Sequence, residues 1–320
     1  MNGELAIGID LGATNLKGAM VDRQGRVIAK HARPLPTTGP EDVVNEIVVV
    51  IDHFLATASA QAGALTGVGI GAPGPMEYAE GTITRAANLP GWEDVPLRDM
   101  LEERLDASIA FDNDGNAAAY GEYWVGAGSD DKDLVMLTLG TGVGAGVILG
   151  GRVLHGHFEN AAELGHMIVV ANGLACPCGQ RGCLEQYASA SAVARRVVTA
   201  VRNGESSALS EAIRNGGGVD AKRVAGAARA GDALCTRVWN EACLYLAIAC
   251  VNIQHAYNPA RIVLGGGMAD AGEFLIKNVT RHVTQQRWSL HDDHPEIRLA
   301  ELGYDAGVIG AAGLVWAQHR

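Results

Sequence analysis

Short apolar runs, each closed by a glycine-rich turn, alternate with longer amphipathic stretches along this chain. Leu5 to Asp10 is an apolar run ending in an acid, followed by the turn Leu11-Gly12-Ala13-Thr14-Asn15, the apolar Gly18-Ala19-Met20-Val21 and a Gly25-Arg26-Val27 turn. The same order returns later: Val135 to Leu139, Gly140-Thr141-Gly142-Val143-Gly144, Gly146-Val147-Ile148-Leu149, then Gly151-Arg152-Val153. Gly12 to Gly18 and Gly140 to Gly146 have the same spacing, so the pattern predicts two copies of one strand-turn-strand-turn-strand unit. Between and after them the periodicity predicts helices over 41–62, 96–105 and 116–124, and strands over 67–71 and 107–112. Beyond residue 183 the chain reads as helical through Tyr257, then as a strand over 261–264, a helix, a strand over 297–302 and a last helix from Gly307. Mixed strands and helices with a duplicated hairpin predict two α/β domains.

Composition narrows this picture. A length of 320 residues fits two domains of ordinary size, and 48% hydrophobic with 19% charged residues supplies sizeable cores without low-complexity sequence. The net charge of -11 argues against a nucleic-acid partner. No basic leader precedes the first strand and no run of about 18 apolar residues stands out, so neither export nor a membrane span is expected. Of six cysteines, Cys235, Cys243 and Cys250 fall on one face of a predicted helix as buried thiols. Nothing resembles a disulfide framework, which fits a reducing, cytoplasmic setting.

The other three cysteines change the picture most. Gly165-His166 is followed by Cys176-Pro177-Cys178-Gly179-Gln180-Arg181-Gly182-Cys183, a Cys3His set suited to a tetrahedral structural zinc. Glycines in the loop allow the backbone angles that wrapping a metal demands. Asp10 with Gly12-Ala13-Thr14 forms a first candidate phosphate turn, in which successive amides cradle an anion and the acid can orient magnesium. Gly140-Thr141-Gly142 is the second. Gly265-Gly266-Gly267 suits either an adenine against the backbone or close helix–strand packing. Gly69-Ile-Gly-Ala-Pro-Gly74 satisfies a dinucleotide pattern, but Pro73 and Pro75 spoil the helix start it needs, and no P-loop is present. Asp112-Asn113-Asp114, at a strand end, suits either a helix cap or a carboxylate taking a proton from a hydroxyl. Glu163, His166 and Glu185 bracket the metal loop and could meet sugar hydroxyls. His155-Gly-His157 and His291-Asp-Asp-His294 read as plain loop residues.

Together these segments resemble the ROK family of sugar kinases and repressors over the whole chain. The resemblance rests on Asp10-Leu-Gly-Ala-Thr14, Gly71-Ala-Pro-Gly74, Asn88-Leu-Pro-Gly91, Asn113-Asp114, Leu139-Gly-Thr-Gly-Val-Gly144, Glu163-Leu-Gly-His166, Cys176-Pro-Cys-Gly-Gln-Arg-Gly-Cys183-Leu-Glu185 and Gly265-Gly-Gly267. It is strongest toward the family's bacterial glucokinases. It implies an actin-like ATPase (ribonuclease H-like) fold of two α/β domains, the smaller from residues 1–116 plus 306–320 and the larger, with the zinc loop, from 117–305. It also implies Asp114 as general base and Asp10 near magnesium. Asn88, Asn113, Asp114, Glu163, His166 and Glu185 would be sugar contacts, with His166 giving one ring nitrogen to zinc and the other to the sugar. Gly12, Ala13, Thr14, Gly140, Thr141 and Gly142 would lie at the ATP phosphates, and Gly265, Gly266 and Gly267 at adenosine. Ala13 departs from the family's usual glycine.

The implied activity is ATP-dependent phosphorylation of a hexose, glucose foremost, giving glucose 6-phosphate in glycolysis. N-acetylmannosamine, N-acetylglucosamine and fructose are the alternative substrates. A sugar-responsive repressor is the alternative from another class, but with Asp10 so near the start no room is expected for a DNA-binding module. A non-catalytic, zinc-stabilised sugar-binding protein would have no need of Asp114 and both glycine turns. The resemblance further implies a homodimer or homotetramer whose ligands are sugar and ATP.

Overall fold

In the computed structural model the described residues are 4–12, 14–61, 64–86 and 89–317, the side chains of 57–61 excepted. The chain opens with the antiparallel meander β1 (Glu4–Leu11), β2 (Asn15–Asp22) and β3 (Val27–Pro34). Helix α1 (Pro40–Gln61) starts on a proline, with Glu41 and Asp42 at its positive end. Its apolar positions Val43, Val44, Ile47, Val50, Ile51 and Phe54 recur at helical spacing and are buried. It leads to β4 (Ala64–Ala72), which pairs parallel to β1. The sequence pattern missed the small antiparallel sheet that follows, β5 (Met76–Glu77), β6 (Thr82–Arg85) and β7 (Glu93–Val95). Helix α2 (Leu97–Glu102), β8 (Ile109–Asn113) and helix α3 (Asp114–Val125) complete this stretch, giving the sheet order β3-β2-β1-β4-β8.

The second copy follows as β9 (Leu134–Leu139), β10 (Val143–Leu149) and β11 (Arg152–Val153). After the cysteine loop come helices α4 (Glu185–Ala188), α5 (Ala190–Arg202), α6 (Ser210–Arg214), α7 (Ala221–Arg229) and α8 (Ala233–Tyr257). Then β12 (Arg261–Gly265), α9 (Glu273–Gln286), β13 (Glu296–Leu299) and α10 (Ala306–Ala317) close the chain. The sheet order β11-β10-β9-β12-β13 repeats the first sheet strand for strand, which is the duplication that the glycine spacing predicts. By length and composition α8, with a mean hydropathy of 1.3 in its most apolar stretch, could cross a membrane, although no such run stood out in the sequence. Here it is a core helix: Cys235, Val238, Trp239, Ala242, Cys243, Leu246, Cys250 and Ile253 are buried, with α5, α7 and α9 packed against it.

The chain divides into two compact units, Met1–Lys132 with Gly146–Ala162 and Glu301–Arg320, and Asp133–Ala145 with Glu163–Ala300. The sequence placed the division at residue 116. Close packing within the first unit explains why α3 and the 146–162 segment go with it. A Cβ at Gly310 of α10 would lie 1.7 Å from the Ala117 carbonyl oxygen, and one at Gly146 would lie 2.5 Å from the Ala119 Cβ. The same close packing accounts for the dinucleotide-like glycines: a Cβ at Gly69 would lie 1.7 Å from the Ala311 carbonyl oxygen, so glycine there admits α10.

Candidate functional site

In the first unit, Asp10 stands near the end of β1, opposite Lys17 of β2, whose Nζ is 3.5 Å from its carboxylate. Burial pushes the Asp10 carboxyl above its usual range, with Lys17 opposing the shift. The first turn of α10 also approaches it, since a Cβ at Gly307 would sit 3.1 Å from the Asp10 carboxyl. In the turn beyond, the Gly12 amide donates to the Asn15 carbonyl at 3.1 Å, and Thr14 Oγ1 accepts from Asn15 at 3.0 Å. Ala13 lies outside the described residues, as does Asn88.

At the end of β8, Asn113 is the N-cap of α3, its Oδ1 accepting from the Gly115 amide at 2.8 Å. Asp114 is the first helical residue; its Oδ1 accepts from the same amide at 2.7 Å, and its side chain is exposed. The residue that caps the helix, Asn113, and the exposed carboxylate, Asp114, are therefore different residues of one turn. Asp114 stands at the positive end of the α3 dipole. Asp112, buried beneath them, pairs through Oδ2 with His155 Nε2 at 2.9 Å. His155 is thus no plain loop residue, and no local signal marks it, because its partner is 43 residues away. His294 is also engaged, through Nδ1, by Gln254 at 2.9 Å.

In the second unit the cysteine loop brings its predicted ligands together. Gly179 and Gly182 take the left-handed backbone that the turns require, and the Cys176 amide donates to the Gln180 carbonyl. One ligand atom each from His166, Cys176, Cys178 and Cys183 falls within 4.8 Å of every other. Cys178 Sγ and Cys183 Sγ are 3.7 Å apart, as are Cys176 Sγ and His166 Nδ1. A tetrahedron with metal–sulfur bonds of about 2.3 Å has an edge of about 3.8 Å, so the donor set and its spacing fit zinc. Burial, and then the neighbouring sulfurs, push the Cys183 thiol up to about 12, a crowding that a divalent cation relieves by holding thiolates. Nδ1 of His166 faces the sulfurs, while Nε2 lies 4.0 Å from a Glu163 oxygen. Partial burial raises the Glu163 carboxyl, His166 lowers it and Glu185 raises it further.

Glu185 does more than sequence reasoning assigned to it. Its Oε2 accepts from the Val143 amide at 3.0 Å, just past the second glycine turn, and a Cβ at Gly142 would lie 2.2 Å from that oxygen. Gly140 closes this turn by donating to the Gly142 carbonyl at 3.0 Å. A Cβ at Gly165 would lie 1.9 Å from the Val143 carbonyl oxygen, so the metal loop and the turn share one packed support. Of the glycines after β12, Gly266 is a packing residue with φ 77°, where a Cβ would strike the Leu139 backbone at 2.7 Å, whereas Gly267 faces open space. The packing reading of that triplet thus holds for Gly266.

The model of the ROK family matches residues 6–318. A glucokinase of Halalkalibacterium halodurans is 39% identical over 319 residues, covering 98% of this chain and 96% of that protein. A ROK family glucokinase of Streptomyces griseus, solved with glucose and AMPPNP, is similar in structure with a TM-score of 0.80, 32% identity and coverage of 97% and 98%. A ROK family transcriptional regulator, a homologue of the E. coli MLC protein, gives a TM-score of 0.87 at 26% identity, with 98% of this chain and 78% of the regulator covered.

Proposed function

The chain belongs to the ROK family, and on that footing we infer that it is an ATP-dependent hexose kinase, acting on glucose to give glucose 6-phosphate. The fold is the actin-like ATPase fold of that family, with its repeated sheet. The observation that carries the inference is the full-length likeness to a glucokinase holding glucose and a nucleotide, in a chain that keeps an exposed carboxylate, Asp114, at the end of β8.

Asp114 is proposed as general base. It removes the proton from the sugar hydroxyl as that oxygen attacks the γ-phosphorus of ATP, and ADP leaves. Asn113 is proposed as a sugar contact in the first unit, together with Asn88; Glu163, His166 and Glu185 are proposed for the second. Gly12, Ala13, Thr14, Gly140, Thr141 and Gly142 are the proposed phosphate turns, and Gly265 to Gly267 the adenosine side, with Gly267 as the open member. Asp10 offers a partly buried carboxylate oxygen that fits a magnesium ion, which when bound would neutralise phosphate charge. Zinc on His166, Cys176, Cys178 and Cys183 has its ligands filled by protein and would orient His166. Cytoplasmic residence and a homodimer or homotetramer belong to the same proposal, and light scattering reads the latter.

A coupled ADP-release assay with magnesium, ATP and glucose, mannose, fructose, N-acetylglucosamine or N-acetylmannosamine tests the substrate. The expected result is the highest kcat/KM for glucose. A higher value for an N-acetylhexosamine overturns glucose as the substrate, and turnover of no sugar overturns the kinase.

A further inference from the structure

Beneath Asn113 and Asp114 lies a buried carboxylate that the reaction does not use. Asp112 is 1% exposed, and its Oδ1 accepts from the Asn113 amide and from Asn116 Nδ2, both at 2.8 Å. Oδ1 therefore holds both the strand end and the first turn of α3, on either side of Asp114. Oδ2 faces His155, whose Nε2 is 2.9 Å away. A carboxylate oxygen accepts, so the ring tautomer with its hydrogen on Nε2 is the one that donates to it. The imidazole ring stacks on Tyr78, with centroids 3.8 Å apart and planes 20° from parallel. The loop carrying it is tied down twice more. Asn160 brackets Met76, accepting from its amide at 2.9 Å and donating to its carbonyl at 3.1 Å, and Glu159 accepts from the Ala79 amide at 3.0 Å. The Ala161 amide closes the loop on the His155 carbonyl at 2.9 Å.

We propose that His155 is a positioning residue for Asp114, acting through Asp112. A buried carboxylate is costly unless each oxygen is hydrogen-bonded. Without His155, Oδ2 loses its partner and the carboxylate is free to turn, which weakens the two bonds on Oδ1 that fix the turn presenting Asp114. Displacement of a reacting group by about 1 Å can lower turnover by about 10²-fold while binding is little changed. Tyr78, at the ring face, and the 159–160 clamp supply the rigidity that keeps the imidazole against Asp112.

This inference rests on Asp114 as the base, and the test separates the two. Wild type, Asp114→Asn, His155→Ala, His155→Asn and His155→Gln are compared for kcat and for the KM of glucose and ATP, with melting temperature and bound zinc recorded. Glutamine can place an amide donor near the position of Nε2, whereas the shorter asparagine cannot. The expected result is a loss of about 10–100-fold in kcat for His155→Ala and His155→Asn, with both KM values little changed, and recovery of most of that loss in His155→Gln. If His155→Ala does not fold, the comparison of asparagine with glutamine carries the test. Wild-type kcat in His155→Asn, or glutamine no better than asparagine, overturns the positioning role while leaving Asp114 in place. Near-normal turnover in Asp114→Asn overturns the base assignment itself.

Discussion

Each proposed role at the residue scale depends on what holds the side chain. Asp114 needs a neighbour to cap the helix so that its own carboxylate stays available, and Asn113 supplies that cap. Asp114→Asn should therefore leave the turn intact and lower kcat by about 10²–10⁴-fold, with glucose still bound, as read by steady-state kinetics and calorimetry. Normal turnover in the folded variant would remove Asp114 from the mechanism. The metal ligands make a contrasting case. Cys178 is the exposed member of the cluster, so Cys178→Ala disturbs the core little. Metal analysis is expected to find about one zinc per chain in wild type and none in this variant, with the glucose KM raised by about 10–100-fold. Nucleotide affinity should fall less than glucose affinity, because the proposed phosphate turn at Gly12 lies in the other unit. An unchanged glucose KM in zinc-free protein would show that the cluster has no part in sugar binding. The cysteines were legible in the sequence because all three thiols sit in one short loop, whose spacing alone converges them. His155 was not, because its meaning comes from Asp112, Tyr78 and Asn160, none of them near it along the chain except Asn160.

At the scale of elements, glycine patterns carried two messages that the sequence does not separate. Spacing from Gly12 to Gly18 and from Gly140 to Gly146 reported duplicated hairpins, and the paired sheet orders agree. Gly69 reports instead how closely α10 passes β4, a fact of tertiary packing. Gly69→Ala would set its methyl against backbone, which cannot turn aside as a side chain can. A stability loss at or above the usual 1–3 kcal/mol of overpacking is expected in urea unfolding. Wild-type stability would mean that α10 can move away. The small β5–β7 sheet escaped prediction because its strands of two to four residues are too short for a period to show. Capping gives a prediction with a pH sign. Asp232 caps α8, accepting from the Cys235 amide at 2.8 Å and from the Ala208 amide. Burial alone would raise its carboxyl, but these donors outweigh it and hold the carboxyl below its ordinary value. A depressed folded-state pKa stabilises the protein above the unfolded value near 4, and that stability is lost as pH falls through the folded value. Asp232→Ala should cost about 1 kcal/mol at pH 7. Asp232→Asn keeps the cap, so its deficit should shrink as pH is lowered from about 5 to about 3. A deficit that stays constant with pH would show that the charge of Asp232 contributes nothing.

The molecule repeats one sheet topology, and a ligand it binds can be traced by the stability it adds. A ligand that binds only the folded state stabilises it by RT ln(1 + [L]/Kd), about 2.7 kcal/mol at a hundred times Kd. For domains of this size each kcal/mol moves the melting temperature by about 2–4 °C, so saturating glucose should raise it by roughly 5–10 °C. The proposed part of the metal makes that rise conditional. His166 faces the sulfurs through Nδ1 and Glu163 through Nε2, and Glu185 is bonded to the Val143 amide two residues past the last cysteine ligand. Removing zinc frees the ring that those contacts orient, so protein stripped by a chelator should melt lower and lose most of the further rise with glucose. The rise with magnesium and ATP should be reduced less than the rise with glucose, since Asp10 and the Gly12 turn belong to the first unit. Calorimetry on untreated, stripped and zinc-restored protein, with metal content measured on each sample, reads all of these outcomes. A full glucose shift in stripped protein would limit zinc to holding its own loop, and loss of both shifts, restored by zinc, would mean that the metal supports more of the fold than the loop that binds it.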